Sequence, residues 1–85
     1  MKSLNELRKN IDEIDREIIE LFEKRMDVAR EIGRYKKQHD LPVFDPEREK
    51  KLIEKNSNYV QNPNYRESYR HLLLLMMEES KKIQK

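Results

Sequence analysis

Apolar residues recur along the first third of the chain at alternating spacings of three and four, which predicts a long amphipathic helix. They are Leu4, Leu7, Ile11, Ile14, Ile18, Leu21, Val28 and Ile32. The position between Leu21 and Val28 is Arg25, a charge where the pattern calls for an apolar residue. A charge on a buried stripe is costly unless a partner group pairs with it. The stripe therefore predicts a packing surface and, at Arg25, a candidate polar site.

Helix-capping residues and prolines divide the chain into three helices, one very long, one short and one medium. The predicted ranges are about 4–38, 46–58 and 64–84. Ser3 and Glu6 have capping-box spacing, and Asp45 followed by Pro46 is a strong helix start. A first helix of about 35 residues spans about 50 Å, so it must project or lie along another long helix.

With 85 residues the chain is at most one small domain, residues 1–85, and its three helical patterns without strand-like alternation predict the all-α class. Charged residues make up 42% of its 85 residues and hydrophobic residues only 35%. A single chain of this kind would bury a thin core, so an oligomer is expected. There is no cysteine, which excludes disulfides and cysteine-based metal sites. No metal or other cofactor is expected.

Charge and hydropathy patterns also argue against several classes of partner. Basic and acidic residues are interspersed and the net charge is only +2, which argues against nucleic-acid binding. No apolar run approaches the roughly 18 to 20 residues of a membrane span. The N-terminal stretch lacks the apolar core of a signal peptide. A cytoplasmic protein without membrane contact is expected.

Three basic residues of the first helix are candidates for an anion site. Lys36 follows Arg25 by eleven residues, three turns plus about 20°, so the two share a face. Arg8 lies 17 residues before Arg25, about 25 Å along the axis and about 100° around it. It can join the same site only if a second copy of the helix packs antiparallel. The simpler alternatives are that Arg25 and Lys36 extend their stems to solvent, and that Arg8 is an exposed arginine with local glutamate neighbours.

The other two helices add further candidate polar groups. Asp45, Arg48 and Glu49 lie on one side of the second helix start, and Ser80 and Gln84 continue the apolar stripe of the third helix. The simpler alternatives are capping with surface ion pairs, and fraying at the chain end. Together the candidates supply cations, carboxylates, an amide and a hydroxyl, with no obvious nucleophile. This composition suits a small polyanion and catalysis by positioning and electrostatics.

From Leu4 to Gln84 the chain resembles the all-α class of chorismate mutases. The resemblance rests on Leu7-Arg8, Ile11, Asp12, Asp15, Arg25, Lys36, the run Asp45-Pro46-Glu47-Arg48-Glu49, Ser80 and Gln84. It implies an intertwined homodimer in which two antiparallel first helices and four others form a six-helix bundle. It also implies that Arg8 enters each site from the partner chain.

The resemblance further implies the Claisen rearrangement of chorismate to prephenate, on the route to phenylalanine and tyrosine. Arg25 and the partner's Arg8 would hold the carboxylates, and Lys36 with Gln84 would donate to the ether oxygen. Glu49 and the Asp45 backbone would take the ring hydroxyl. Arg48 and Ser80 would complete the polar shell, and the apolar wall would comprise Ala29, Ile32, Leu52 and Met77.

Three alternatives remain at the level of sequence. An isochorismate pyruvate lyase shares the fold and the cations, but members of that group tend to lack the acidic pair that Asp45 and Glu49 form here. A non-enzymatic helical dimerisation module explains the heptads but not Arg25, Ser80 and Gln84. A nucleic-acid-binding helical protein is disfavoured by the interspersed charge.

Overall fold

The computed structural model describes residues 1–85, and every regular element in it is helical. The elements are α1 (Leu4–Gln38), α2 (Pro46–Tyr59), a 3₁₀ turn (Pro63–Tyr65) and α3 (Arg66–Gln84). The predicted all-α architecture of one very long, one short and one medium helix is confirmed. No strand is present.

The predicted capping residues start the first two helices. The Ser3 hydroxyl accepts a hydrogen bond from the Glu6 amide at 3.2 Å. The Asp45 carboxylate accepts one from the Arg48 amide at 3.1 Å, with Pro46 at the first helical position. Each cap satisfies an amide that the helix itself leaves unpaired.

The third helix begins differently from the prediction. Residues 63–65 form a 3₁₀ turn, and α-helical bonding starts at Arg66 rather than near residue 64. The Asn62 side chain accepts from the Asn64 amide at 3.0 Å, and this local bond favours a tight turn. The apolar periodicity alone does not distinguish such a turn from the first turn of an α-helix.

The core of the single chain lies where α3 packs on the C-terminal half of α1. Its buried residues are Ala29 and Gly33 of α1, Ser57 of α2, and Leu73, Met77 and Ser80 of α3. Arg70 donates to the Ser57 hydroxyl at 3.1 Å, which links α2 to α3. This packing fixes the start of α2 and the end of α3 beside the same stretch of α1.

The N-terminal half of α1 projects from this core. The chain measures 56 × 24 × 15 Å, and only six of its 85 residues are buried. The apolar stripe of α1 is exposed along its length, from Leu4 at 61% to Ile18 at 55% and Leu21 at 64%. A continuous apolar face of this kind marks an interaction surface. None of the helices combines the length and apolar content needed to cross a membrane.

Candidate active site

The C-terminal half of α1, the start of α2 and the last turns of α3 form the walls of an open cavity of about 500 Å³. All the predicted site residues except Arg8 line it, namely Arg25, Lys36, Asp45, Arg48, Glu49, Ser80 and Gln84. The predicted apolar wall residues Ala29, Ile32, Leu52 and Met77 also line it, together with Val28 and Val43. Residues far apart in the sequence are thus brought to one concave surface.

Arg25 is anchored to α3 through one nitrogen of its guanidinium group. Its Nη1 donates to the Ser80 hydroxyl and, at 3.4 Å, to the Met76 carbonyl oxygen. The Ser80 hydroxyl in turn donates to the Met76 carbonyl at 2.8 Å. An arginine has five N–H donors, so its other groups remain to bind an anion. The arginine that interrupts the apolar stripe is therefore paired with polar groups, and it lines the cavity.

Lys36 joins the last turn of α3 to the loop before α2. Its Nζ donates to the Gln84 side-chain oxygen at 3.0 Å and to the Val43 carbonyl at 2.9 Å. An ammonium has three N–H donors, so one is left over. With the Gln84 oxygen engaged, the Gln84 amide nitrogen is also left to donate. Both residues line the cavity, so two neighbouring side chains there keep an N–H donor that no hydrogen bond within the chain uses.

The start of α2 contributes charges of both signs. Asp45, Arg48 and Glu49 all line the cavity; Asp45 and Arg48 are exposed, whereas Glu49 is only partly exposed. The Asp45 carboxylate is occupied with capping the helix. Of the two carboxylates that line the cavity, Glu49 is the less exposed, and it is not used as a helix cap.

Lys81 is a lining residue that sequence reasoning missed. Its Nζ lies 3.2 Å from a Glu49 carboxylate oxygen and 2.8 Å from a Glu78 oxygen. The hydrogen bond to Glu78 raises the pKa of Lys81 against the opposing effect of burial, and Glu49 adds to the rise. The same hydrogen bond lowers the pKa of Glu78. Lys81 directly follows the predicted site residue Ser80 in the sequence. This position indicates a cavity residue only once the contact between Lys81 and Glu49 is known.

Gly33 is a second feature that the sequence did not reveal. A β-carbon at this position would lie 2.7 Å from the Gln84 Cα and 2.8 Å from the Gln84 carbonyl oxygen. Only glycine therefore allows the end of α3 to approach α1 this closely. Glycine has low helix propensity, and at this position it gives Gln84 access to Lys36.

Arg8 is exposed on the projecting half of α1 and does not line the cavity of its own chain. This agrees with the helical spacing, which separates Arg8 from Arg25 along and around the axis. Its participation in the site therefore requires a second chain.

A family model described as chorismate mutase type II matches residues 7–85. The chain belongs to the chorismate mutase type II family. The resemblance that the sequence motifs indicated is therefore confirmed.

Individual relatives agree with this membership. The chorismate mutase of Methanocaldococcus jannaschii is 33% identical over 100% of this chain and 87% of that protein. The T-protein of Haemophilus influenzae is 44% identical over 64% of this chain, and the matched segment spans only 14% of the T-protein. A conserved hypothetical protein from Pyrococcus furiosus has a similar structure, with a TM-score of 0.73 and 34% identity over 100% of this chain and 99% of that one.

Proposed function

We propose that this member of the chorismate mutase family is an isomerase that rearranges chorismate to prephenate, a step towards phenylalanine and tyrosine. Chorismate carries two carboxylates, an enol ether oxygen and a ring hydroxyl. In the rearrangement the bond from the ether oxygen to the ring breaks while the enolpyruvyl methylene carbon bonds to the ring. No group is gained or lost, so the proposal requires no metal, cofactor or covalent intermediate.

The observation that carries this proposal is the pair of donors at Lys36 and Gln84. Negative charge grows on the ether oxygen as its bond to the ring breaks, and donors fixed beforehand at that point lower the barrier. The bond between the two side chains, 3.0 Å long, holds both in place before substrate arrives. They line a wall that also contains apolar residues, where hydrogen bonds to a charged atom are stronger than in water.

The carboxylates are assigned to arginines. The Arg25 guanidinium is held by Ser80 and Met76, and its planar fork suits a bidentate contact with a carboxylate. Arg48 also lines the cavity and adds positive charge there. The ring hydroxyl is assigned to Glu49 and the Asp45 backbone, both at the start of α2. Binding in this manner would select the compact conformer in which the reacting carbons are close.

The proposal includes a cytoplasmic homodimer. The exposed apolar stripe of α1 and the small number of buried residues favour a second copy that covers this face. If the two α1 helices pack antiparallel, the partner's N-terminal half lies beside the cavity and Arg8 can bind the second carboxylate. The complete site would then contain residues from both chains.

The test is to mix the purified chain with chorismate, follow the loss of its ultraviolet absorbance and identify the product. Prephenate as the sole product is the expected result. A folded oligomer that leaves chorismate unchanged would refute the proposal. Isochorismate is offered in parallel, because its conversion to salicylate and pyruvate would instead indicate a lyase of the same fold.

A further inference from the structure

Lys81 occupies the cavity wall although the functions assigned above do not use it. Its ammonium group bridges α3 and α2 through the 3.2 Å contact with Glu49 and lies 4.7 Å from the centre of the Phe44 ring. The two side chains of this ion pair are only 20% and 23% exposed. The pair is therefore more shielded from water than an ordinary surface ion pair, and its energy is less screened.

Glu49 creates an electrostatic difficulty for the proposed substrate. Its carboxylate lines a cavity assigned to a dianion, and like charges at close range reduce affinity. An ammonium in contact with Glu49 offsets its charge while leaving carboxylate lone pairs to accept a hydrogen bond. The contact also ties Glu49 to α3 and so limits its rotation.

We propose that Lys81 is a positioning residue that holds Glu49 against the cavity wall and offsets its charge, so that a dianion can bind beside a carboxylate. This inference rests on the proposed function, because it names chorismate as the dianion. Lys81 acts through Glu49 and does not itself contact the reacting atoms.

The Glu78 contact does not compete with this role. Glu78 is 63% exposed and three residues before Lys81 on the same helix, the arrangement of a solvent-facing pair. An ammonium has donors enough for both carboxylates. Lys82 provides a matched control, because it pairs with Glu79 at 2.9 Å, is 69% exposed and does not line the cavity.

The test begins with Lys81→Met, which keeps an apolar stem against Phe44 and removes the charge. The loss of one positive charge should weaken ground-state and transition-state binding alike, so KM should rise about tenfold with kcat nearly unchanged. Lys81→Arg should restore most of the affinity. Lys82→Met should behave as the parent chain.

A double-mutant cycle shows whether Lys81 acts through Glu49. In a Glu49→Gln background there is no carboxylate charge to offset, so adding Lys81→Met should change KM by less than about twofold. An equal rise of KM in both backgrounds would overturn the proposal, because Lys81 would then act on the substrate directly. A fall in melting temperature with no change in KM would also overturn it.

Failure of the proposed role of Lys81 can be distinguished from failure of the proposed function. If the parent chain binds chorismate without converting it, the rearrangement is refuted, and the same cycle is read from dissociation constants measured by calorimetry. If the parent neither binds nor converts chorismate, both proposals fail. If it converts chorismate and the cycle shows no coupling, only the role of Lys81 is refuted.

Discussion

Replacing Gly33, the only glycine of the chain, by alanine should reduce activity far more than stability. The added β-carbon would lie 2.7 Å from the Gln84 Cα, whereas ordinary contact begins at 3.4 Å. The obstacle is backbone, so the last turn of α3 must retreat by about 0.7 Å, the difference between these two distances. The hydrogen bond from Lys36 to Gln84 is now 3.0 Å long. Lengthened by that amount it exceeds the usual upper limit of about 3.2 Å.

The two effects of this substitution on stability oppose each other. Alanine is favoured over glycine inside a helix by about 1 kcal/mol, whereas overpacking typically costs about 1 to 3 kcal/mol. The net loss of unfolding free energy should therefore not exceed about 2 kcal/mol. Activity should fall about 100-fold, the effect of misplacing catalytic groups by about 1 Å.

Chorismate consumption followed by ultraviolet absorbance measures the activity, and thermal unfolding followed by circular dichroism measures the stability. Gln84→Ala, alone and combined with Gly33→Ala, is the control. It keeps the backbone atoms of residue 84 that the new β-carbon would meet, but it removes the side-chain amide. In that background Gly33→Ala should cost little further activity. Activity of Gly33→Ala within twofold of the parent chain would refute the reasoning. A reduction of activity by Gly33→Ala by the same factor in the Gln84→Ala background as in the parent chain would refute it too.

Two further predictions concern the second chain and the start of α2. Mixing inactive Arg8→Ala chains with inactive Lys36→Ala chains should restore part of the turnover. The reason is that one of the two sites in a heterodimer would combine an intact Lys36 from one chain with an intact Arg8 from the other. If mass spectrometry shows heterodimers and no activity returns, a shared site is excluded. Asp45→Ala should lower the unfolding free energy by about 1 kcal/mol through loss of the helix cap, whereas Asp45→Asn should retain most of the cap. Equal melting temperatures for the two variants would show that the cap contributes nothing to stability.

Local signals in the sequence were sufficient for the three helices and for the polar candidates of the cavity lining, whereas its apolar wall was expected only from the family resemblance. The alternating spacing of α1 and the caps at Ser3 and Asp45 act over a few residues, so their consequences follow without knowledge of the tertiary structure. Arg25 and Lys36 could be placed on one face because both lie on a single regular helix.

Two of the features that the sequence did not reveal, Gly33 and Lys81, depend on contacts between helices. Gly33 has a clear role only when the end of α3 is seen against it. Lys81 becomes a cavity residue only when Glu49 is placed 3.2 Å away. The 3₁₀ turn before α3 arises from the Asn62 side chain, which competes with α-helical bonding in a way that apolar periodicity does not record.

The most direct test of the proposed site is the rate of prephenate formation by Arg25→Ala beside the parent chain, with fold and oligomeric state checked by circular dichroism and sedimentation. Loss of the guanidinium removes the anchor of one substrate carboxylate, so the rate should fall by about 10³-fold or more. The fold should persist, because alanine removes a charge that interrupts an apolar stripe. An unchanged rate in the folded variant would contradict the assignment of Arg25 to the substrate.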